Sequence, residues 1–262
     1  MKFELYQVDA FTDHIFGGNS ACIVPLEKWL PDNLLFEIAK ENAVAETAYF
    51  IKNGNDFDLR WFTPQIEMDL CGHATLAAAH VLKSHLNYGN GNIIFHSKSG
   101  DLEVSIDKDI YTLNFPSRKP VLAELPEIIK NSLDRQPKEV LKARDYLLVY
   151  ESEQDIKNIK IDRQIIGQIN LDPGGVIITS KGDHCDFVSR YFNPQGTIFE
   201  DPVTGSAHCS LIPYWSERLG KKEMKALQLS DRIGKLFCVN NKDRVLISGQ
   251  AKTYSVGQLW IE

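Results

Sequence analysis

The chain has 262 residues, 43% of them hydrophobic and 10% aromatic, and this composition excludes a disordered or collagen-like protein. Lys and Arg total 29 against 35 Asp and Glu, a formal net charge of -6 without a basic face, which argues against a nucleic-acid binder. No run approaches the length of an apolar membrane span, so we expect no membrane partner. The N-terminus lacks an apolar signal core and the five cysteines have no framework spacing, which together predict a reduced, cytoplasmic protein.

The first half of the chain predicts strands interrupted by two helices. Alternating or β-branched runs predict strands at 3–9, 21–24, 47–51, 56–62, 92–97, 102–106 and 111–115. Asn53-Gly-Asn-Asp56 predicts a hairpin between the third and fourth of these strands. Apolar periodicity predicts helices at 31–40, where Pro31 suits a first turn, and at 72–83.

The second half shows the same mixture after a loose, proline-containing segment. Pro116, Pro120, Pro126 and Pro137 predict a connection between domains. Strands are expected at 146–150, 175–180, 185–192, 227–230, 235–239, 244–248 and 254–261. A single long apolar helix is expected at 205–219.

An internal repeat organises these elements. The segment RWFTPQ at 60–65 is echoed by RYFNPQ at 190–195, and each copy is followed by a glycine that opens a long apolar helix. The period is about half of the chain, which is the scale of a gene duplication and too long for a solenoid. Each helix is apolar around most of its circumference and is therefore expected to be buried on nearly all sides.

The repeat predicts an α+β protein with two pseudo-symmetric domains. Each domain is expected to be a barrel-like, mostly antiparallel sheet wrapped around a central helix. We place the N-terminal domain at residues 1–118, completed by the C-terminal strand at 250–262, and the second domain at 119–249. The two helix starts are expected to face each other across the domain cleft.

The helix starts are candidate anion sites. Free N–H groups and the helix dipole favour a bound carboxylate, and Gly72 and Gly205 allow a close approach to the backbone. The alternative interpretation is that these glycines only serve tight strand-to-helix turns. The repeat favours the functional interpretation.

Two acidic motifs are candidates for proton transfer and substrate binding. Glu46 begins a strand among small and apolar residues, where a partly desolvated carboxylate suits general acid–base work; alternatively it caps a surface turn. Asp201 could hold a substrate amine or hydroxyl and Ser206 a carboxylate. Alternatively, Asp201 or Thr204 simply caps the following helix.

Cys71 and His73 form a further candidate pair on either side of Gly72. They could act as a nucleophile, a thiol base or metal ligands. No HExxH, CxxC or paired His/Cys spacing exists elsewhere in the chain, so we expect no metal site. It also lacks a dinucleotide fingerprint before a helix, and we expect no cofactor.

Several motifs taken together resemble the PhzF-like phenazine biosynthesis family. In chain order they are QVDAF at 7–11, GNSA at 18–21, AETA at 45–48, RWFTP at 60–64, LCGHAT at 70–75 and EDPVTGSA at 200–207. The family usually has proline where this chain has Ser20. The motifs run in order over almost the whole chain.

The resemblance implies a fold, an activity and a set of site residues. The fold is that of diaminopimelate epimerase, and the family's named enzyme is trans-2,3-dihydro-3-hydroxyanthranilate isomerase, which works without a cofactor and is typically a homodimer. Carried over residue by residue, the resemblance implies catalytic roles for Glu46, His73 and Asp201. The implied substrate-binding set is Asn19, Gly72, His73, Asp201, Gly205 and Ser206. The substrate is expected to be a small carboxylated molecule.

The wider superfamily also contains epimerases and proline racemases with one thiol in each repeat. Cys71 stands where the first thiol would be, but the equivalent place near Thr204 has no cysteine. A single carboxylate can still move a proton along one face of a conjugated system, and this favours an isomerase with Glu46 as proton carrier. The alternatives are an epimerase or racemase that uses Cys71 with Glu46, and a non-catalytic small-molecule-binding member.

Overall fold

The computed structural model describes residues 1–89, 91–196 and 198–262, which fall into two compact units. The first unit contains Met1–Phe115 and Ile247–Glu262, and the second contains Pro116–Leu246. The sequence placed the domain boundaries slightly further along the chain, after residues 118 and 249. Within the described residues, no helix is long and apolar enough to cross a membrane.

The first unit is a mixed sheet built from strands at both ends of the chain. Its strands are β1 (Lys2–Ala10), β2 (Asn19–Leu26), β3 (Glu46–Asn53), β4 (Asp56–Phe62), β5 (Glu67–Met68), β6 (Ile93–Ser97), β7 (Gly100–Asp107), β8 (Ile110–Pro116) and β18 (Ala251–Trp260), and its helices are α1 (Asp32–Asn42) and α2 (Gly72–Ser84). Strand β1 lies between β18 and β2 in antiparallel pairings, β2 runs parallel to β3, and β3 forms a hairpin with β4. Strand β4 also pairs with β5 and runs parallel to β6, and β7 joins β6 to β8.

The second unit repeats this arrangement. Its strands are β9 (Val121–Leu122), β10 (Glu139–Lys142), β11 (Tyr146–Val149), β12 (Val176–Lys181), β13 (Phe187–Phe192), β14 (Glu200–Asp201), β15 (Glu223–Gln228), β16 (Gly234–Asn241) and β17 (Arg244–Gly249), which ends in the first unit. Its helices are α3 (Glu127–Ser132), α4 (Glu153–Asn158), α5 (Arg163–Ile166) and α6 (Gly205–Leu219). Strand β11 runs parallel to β12, β12 is antiparallel to β13, and β13 pairs with β14 and runs parallel to β15, which is antiparallel to β16.

The two units therefore share one pairing order, and the repeated segments occupy equivalent strands. Arg60 in β4 binds Glu67 in β5 through two hydrogen bonds of 2.7 and 3.0 Å. Arg190 in β13 binds Glu200 in β14 in the same way, at 2.7 and 2.8 Å. Each bidentate pair fixes a short strand beside the connection to the central helix.

The central helices are buried, as their apolar circumference predicts. All of α2 from Gly72 to Ala79 is buried, and in α6 the buried residues include the run from Ala207 to Trp215. Helix α2 packs against β1, β2, β3 and β18, and α6 packs against β15 and β16. A mixed, mostly antiparallel sheet around one helix is thus present in each unit.

Some short elements differ from the sequence-based expectation. The segment expected to be a loose connection contains β9 and α3, while β10, α4 and α5 were not predicted. Helices of four to six residues are too short to show apolar periodicity. Strand β15 lies at Glu223–Gln228 rather than at 227–230, because the buried residues Met224, Ala226 and Gln228 alternate with two exposed charged residues and the half-buried Leu227.

Candidate functional site

The first group of site residues lies where two parallel strands and a helix begin. Asn19 is the first residue of β2, Glu46 is the first residue of β3, and His73 is the second residue of α2. Because β2 and β3 are parallel, with Ala21 opposite Glu46, both strands begin at the same end of the sheet. The structure thus brings together the first-unit residues that the sequence singled out.

Gly18 allows β2 to begin where it does. Its φ of +60° is in the left-handed region, and a Cβ at this position would lie 2.0 Å from the carbonyl oxygen of Ala10. Ala10 and Asn19 are paired across β1 and β2. A side chain at residue 18 would therefore displace the strand start that carries Asn19.

The His73 ring lies between three polar side chains. Its Nε2 is 3.1 Å from Glu46 Oε2, and its Nδ1 is 3.2 Å from the side-chain nitrogen of Asn19 and 3.6 Å from Cys71 Sγ. The side chains of His73 and Glu46 are only 4% and 15% exposed. Glu46 therefore does not cap a surface turn.

The contact between Glu46 and His73 is close but poorly aligned. Although 3.1 Å is a hydrogen-bond distance, neither Glu46 Oε2 nor His73 Nε2 has a hydrogen bond of acceptable angle among the described residues, and both atoms are buried. Buried polar atoms are normally hydrogen-bonded, so each exception calls for an explanation, of which a catalytic role is one. Both atoms therefore keep hydrogen-bonding capacity that the described residues do not use.

The neighbours of His73 act on its proton in opposite directions. Burial lowers its pKa, but the negative charges of Cys71 and Glu46 outweigh burial and hold the pKa well above the ordinary histidine value. Burial, and then the charge of Glu46, raises the pKa of the Cys71 thiol, while the charge of His73 and its hydrogen bond act to lower it. The Asn19 amide nitrogen faces Nδ1 and favours the neutral ring with its hydrogen on Nε2.

Glu46, Cys71 and His73 also form a potential metal-ligand group, since their donor atoms lie within 4.8 Å of one another. Cys71 contacts Nδ1, however, whereas Glu46 contacts Nε2. These nitrogens are on different edges of the ring, and one ion takes one nitrogen from a histidine. The arrangement fits a proton-handling group better than a metal centre.

No side-chain oxygen of the preceding residue caps either helix start. Cys71 precedes α2 and offers only its thiol sulfur, which faces the Ala74 N–H, and Thr204 precedes α6 without accepting a hydrogen bond from the first turn. The Thr204 hydroxyl instead donates to Asp201 Oδ2 at 2.6 Å. The interpretation of Thr204 as the helix cap is therefore wrong, and Gly72 and Gly205 open first turns whose N–H groups are not capped by an oxygen of the preceding side chain.

The second group of site residues lies at the start of α6. Gln228 on β15 holds the loop by donating to the Asp201 carbonyl oxygen and the Thr204 hydroxyl, and by accepting from the Thr204 N–H. Gly205 and Ser206 are the first two residues of the helix. The Ser206 hydroxyl accepts a 2.9 Å hydrogen bond from Arg144 Nη2.

Arg144 and Gln228 are the main polar residues that sequence reasoning missed. Arg144 is 62 residues from Ser206, and Gln228 is 24 residues from Thr204. Neither lies in a motif, and an arginine beside an aspartate is a common surface pattern. Their roles follow only from the fold.

Equivalent residues anchor the first turn of each central helix. Thr75 Oγ1 donates to the Cys71 carbonyl oxygen at 2.6 Å, and His208 Nδ1 donates to the Thr204 carbonyl oxygen at 2.9 Å. Burial lowers the pKa of His208 to about 4, so the ring is neutral. His73 is the second residue of α2 and Ser206 is the second residue of α6, so the two residues occupy equivalent positions.

A surface cavity of about 490 Å³ lies elsewhere on the second unit. It is lined by the C-terminal end of α6 and by Lys221, Lys222 and Lys242. By helix geometry it is about 20 Å along α6 from Ser206. None of the predicted site residues lines it, so we do not assign the cavity to the site.

Comparison with known proteins gives a consistent family. Residues 8–257 match the phenazine biosynthesis-like protein family PhzC-PhzF. An uncharacterized isomerase of Pseudomonas aeruginosa is 43% identical over 259 residues, covering 99% of both chains. The crystal structure of a PhzF-family phenazine biosynthesis protein from Enterococcus faecalis superposes with a TM-score of 0.95 at 41% identity, covering 100% of both chains.

More distant structures show the same fold. A hydroxyproline epimerase from Agrobacterium vitis has a TM-score of 0.63 at 10% identity, covering 98% of this chain and 92% of its own. At that identity the likeness concerns the fold alone. The diaminopimelate epimerase-like fold expected from the resemblance is confirmed.

Proposed function

Because the chain belongs to the phenazine biosynthesis-like PhzC-PhzF family, we propose that it is an isomerase that moves a proton on a small carboxylated substrate without a cofactor. One observation carries this proposal. Glu46 Oε2 and His73 Nε2 lie 3.1 Å apart in a buried position, yet neither forms an aligned hydrogen bond among the described residues. Such a pair is ready to exchange a proton with a bound molecule.

Glu46 is the proposed proton carrier. Its carboxylate removes a proton from a substrate carbon and, after exchange with solvent, returns a proton to another atom on the same face of the conjugated system. One proton is removed and one is returned, so substrate and product are isomers, Glu46 regains its starting protonation state, and no oxidant, reductant or second substrate is needed. His73 donates to Glu46 or to the substrate through Nε2, while Asn19 and Cys71 orient the ring through Nδ1.

The geometry gives less support to an epimerase or racemase that uses Cys71 with Glu46. Inversion of a stereocentre needs an acid and a base on opposite faces of the substrate. The Cys71 thiol is buried, has a raised pKa and contacts the same histidine as Glu46. Thr204, at the equivalent helix start, has its hydroxyl bound to Asp201 and offers no second thiol.

The second-unit residues supply the proposed substrate-binding groups. Asp201 holds an amine or hydroxyl, and Ser206 and Gly205 hold a carboxylate at the start of α6. That this group binds the same molecule as Glu46 and His73 stays a prediction of the sequence, as do homodimerisation and a cytoplasmic location. Size-exclusion chromatography with light scattering tests the dimer.

Solvent-deuterium exchange tests the proton carrier. Cyclic and unsaturated amino acids are incubated with the enzyme in D₂O, and deuterium incorporation and isomerisation are followed by NMR. Glu46→Gln keeps the size of the side chain but cannot cycle a proton, so we expect both signals to fall at least about a hundredfold. Glu41→Gln, an exposed change on α1, is the matched control.

The binding of a carboxylate ligand separates catalysis from folding. Glu46→Gln should bind such a ligand as the wild type does. An active Glu46→Gln variant, or one that folds but no longer binds, would assign Glu46 a structural or binding role and would contradict the mechanism. Binding of carboxylates by a wild type that exchanges no substrate hydrogen would favour the non-catalytic alternative.

A further inference from the structure

The Arg144 guanidinium is held in one orientation by a buried carboxylate. Its Nε and Nη2 atoms lie 3.0–3.2 Å from both Asp145 oxygens. The Asp145 side chain is fully buried, and Oδ1 also accepts from the Gly175 N–H at 2.9 Å and the Tyr191 hydroxyl at 3.2 Å. The Asp145 carboxylate is therefore held in place by its own hydrogen bonds, and it fixes the orientation of the planar Arg144 guanidinium.

This orientation leaves donors available beside Ser206. Arg144 Nη2 donates to Ser206 Oγ at 2.9 Å, so the Ser206 hydroxyl acts as an acceptor in that bond and its own hydrogen remains free to donate. Among the described residues, Nη1 of Arg144 forms no hydrogen bond, and the side chain is 23% exposed and open to solvent. A hydroxyl hydrogen and two guanidinium hydrogens are thus unused at neighbouring positions.

The surrounding charge is positive. Cys209 follows Ser206 by three residues and lies on the same face of α6, and its carbonyl oxygen accepts from the Arg118 backbone N–H at 2.9 Å. Burial raises the pKa of the Cys209 thiol to about 11, while Arg118, Arg144 and Arg244 act to lower it and Asp145 acts to raise it. Three cations and one carboxylate therefore act on this part of α6.

We propose that Arg144 is a specificity-determining residue that joins Ser206 in binding the carboxylate of the substrate. The guanidinium binds one carboxylate oxygen through Nη1, and the Ser206 hydroxyl binds the other. A neutral amide presents only one acceptor and adds N–H groups that would face the cation, so the site rejects amides. The inference rests on the proposed function for the identity of the ligand as a substrate.

Paired carboxylates and amides test this selectivity. Benzoate against benzamide, and anthranilate against anthranilamide, are titrated into the full-length protein by calorimetry or ligand-observed NMR. We expect the wild type to bind each carboxylate at least about tenfold more tightly than its amide, in line with hydrogen bonds to charged groups. A wild type without this preference for either pair overturns the proposal.

Arg144→Lys is the decisive variant. Lysine keeps a positive charge beside Asp145, but its single ammonium group cannot donate to Asp145, Ser206 and a carboxylate at the same time as a planar guanidinium can. We expect carboxylate affinity to fall about tenfold or more while amide affinity changes little. Ser206→Ala should reduce the same preference. Arg218→Met removes an exposed arginine paired with Glu139 at the far end of α6 and should change neither affinity.

The outcomes separate this proposal from the isomerase proposal. A folded Arg144→Lys variant with the wild-type preference for carboxylates overturns the role of Arg144, whatever the enzyme catalyses. Circular dichroism and thermal unfolding establish that the variant is folded, and Ser206→Ala provides the same readout without disturbing the buried Asp145. If Arg144→Lys loses the preference for carboxylates and the wild type exchanges no deuterium, the carboxylate-binding role of Arg144 is supported and the isomerase proposal is refuted.

Discussion

Replacing Gly18 or Gly54 by alanine distinguishes two destabilising effects: backbone strain at a positive φ and the steric clash of an added Cβ. Gly18 and Gly54 have nearly the same conformation, with φ of +60° and +62°. An alanine in this region costs about 1–2 kcal/mol of backbone strain at either position. At Gly54 an added Cβ meets nothing within 4 Å, whereas at Gly18 it would lie 2.0 Å from the Ala10 carbonyl oxygen.

The difference between the two variants isolates the close approach of the backbone. Relieving the contact at residue 18 means moving β2 away from β1, and overpacking of this kind costs about 1–3 kcal/mol or more. We therefore expect Gly54→Ala to lower the free energy of unfolding by about 1 kcal/mol and Gly18→Ala by about 3–4 kcal/mol. The entropy that alanine removes from the unfolded chain is common to both and cancels.

Urea unfolding followed by tryptophan fluorescence measures both variants in the same unit, which contains Trp29 and Trp61. Gly18→Ala should also impair activity in the deuterium-exchange assay, since Asn19 follows directly and contacts His73. Equal losses of stability in the two variants would refute the close approach. A strong loss of stability with full activity would refute the link to Asn19.

Burial lowers the pKa of His80 to about 4 in the folded protein, against about 6.5 for an ordinary histidine. The neutral ring therefore contributes stability that is fully present above about pH 6.5 and is lost as the pH falls from there through about 4. His80→Gln should therefore flatten the fall in unfolding free energy between pH 6.5 and 4, by up to about 3 kcal/mol, relative to the exposed control His184→Gln; parallel stability–pH curves would contradict this. Cys71→Ala should keep most of the exchange activity, and a loss of about a thousandfold would revive the thiol-based racemase. Glu67→Gln removes the charge bound by the guanidinium in β4 and should cost about 2 kcal/mol in urea unfolding, whereas Glu37→Gln in an exposed helix pair should cost less than about 0.5 kcal/mol.

The sequence predicted elements whose signals are local. Helix α6 begins and ends at the predicted residues 205 and 219, because a glycine follows a polar loop and the apolar run stops at Gly220. Strand β4 matches 56–62, because a two-residue turn and an alternating run define both of its ends. The repeat gave the two-unit architecture, since one pairing order is encoded twice.

The site was predictable in part for the same reason. Glu46 and His73 stand at the starts of a strand and a helix that local patterns define, and the structure places them in contact. Arg144 and Gln228 could not be found, because their partners are distant in the chain and arise from tertiary packing. Helix α4 was missed although Ser152 and Asp155 form a capping box, because six residues carry too little periodicity.

At the start of each central helix, the residues that stabilise the fold differ from the residue proposed to act on the substrate. In both units an arginine–glutamate pair fixes the preceding short strand, and the fourth helical residue, Thr75 or His208, anchors the first turn. The second helical residue neither fixes the short strand nor anchors the first turn. It is His73 in α2 and Ser206 in α6. Evolution can therefore change the reactive side chain of one half by a single substitution while the other half and the scaffold stay as they are. A protein built in this way acquires new chemistry through asymmetry between its halves, without needing a new fold.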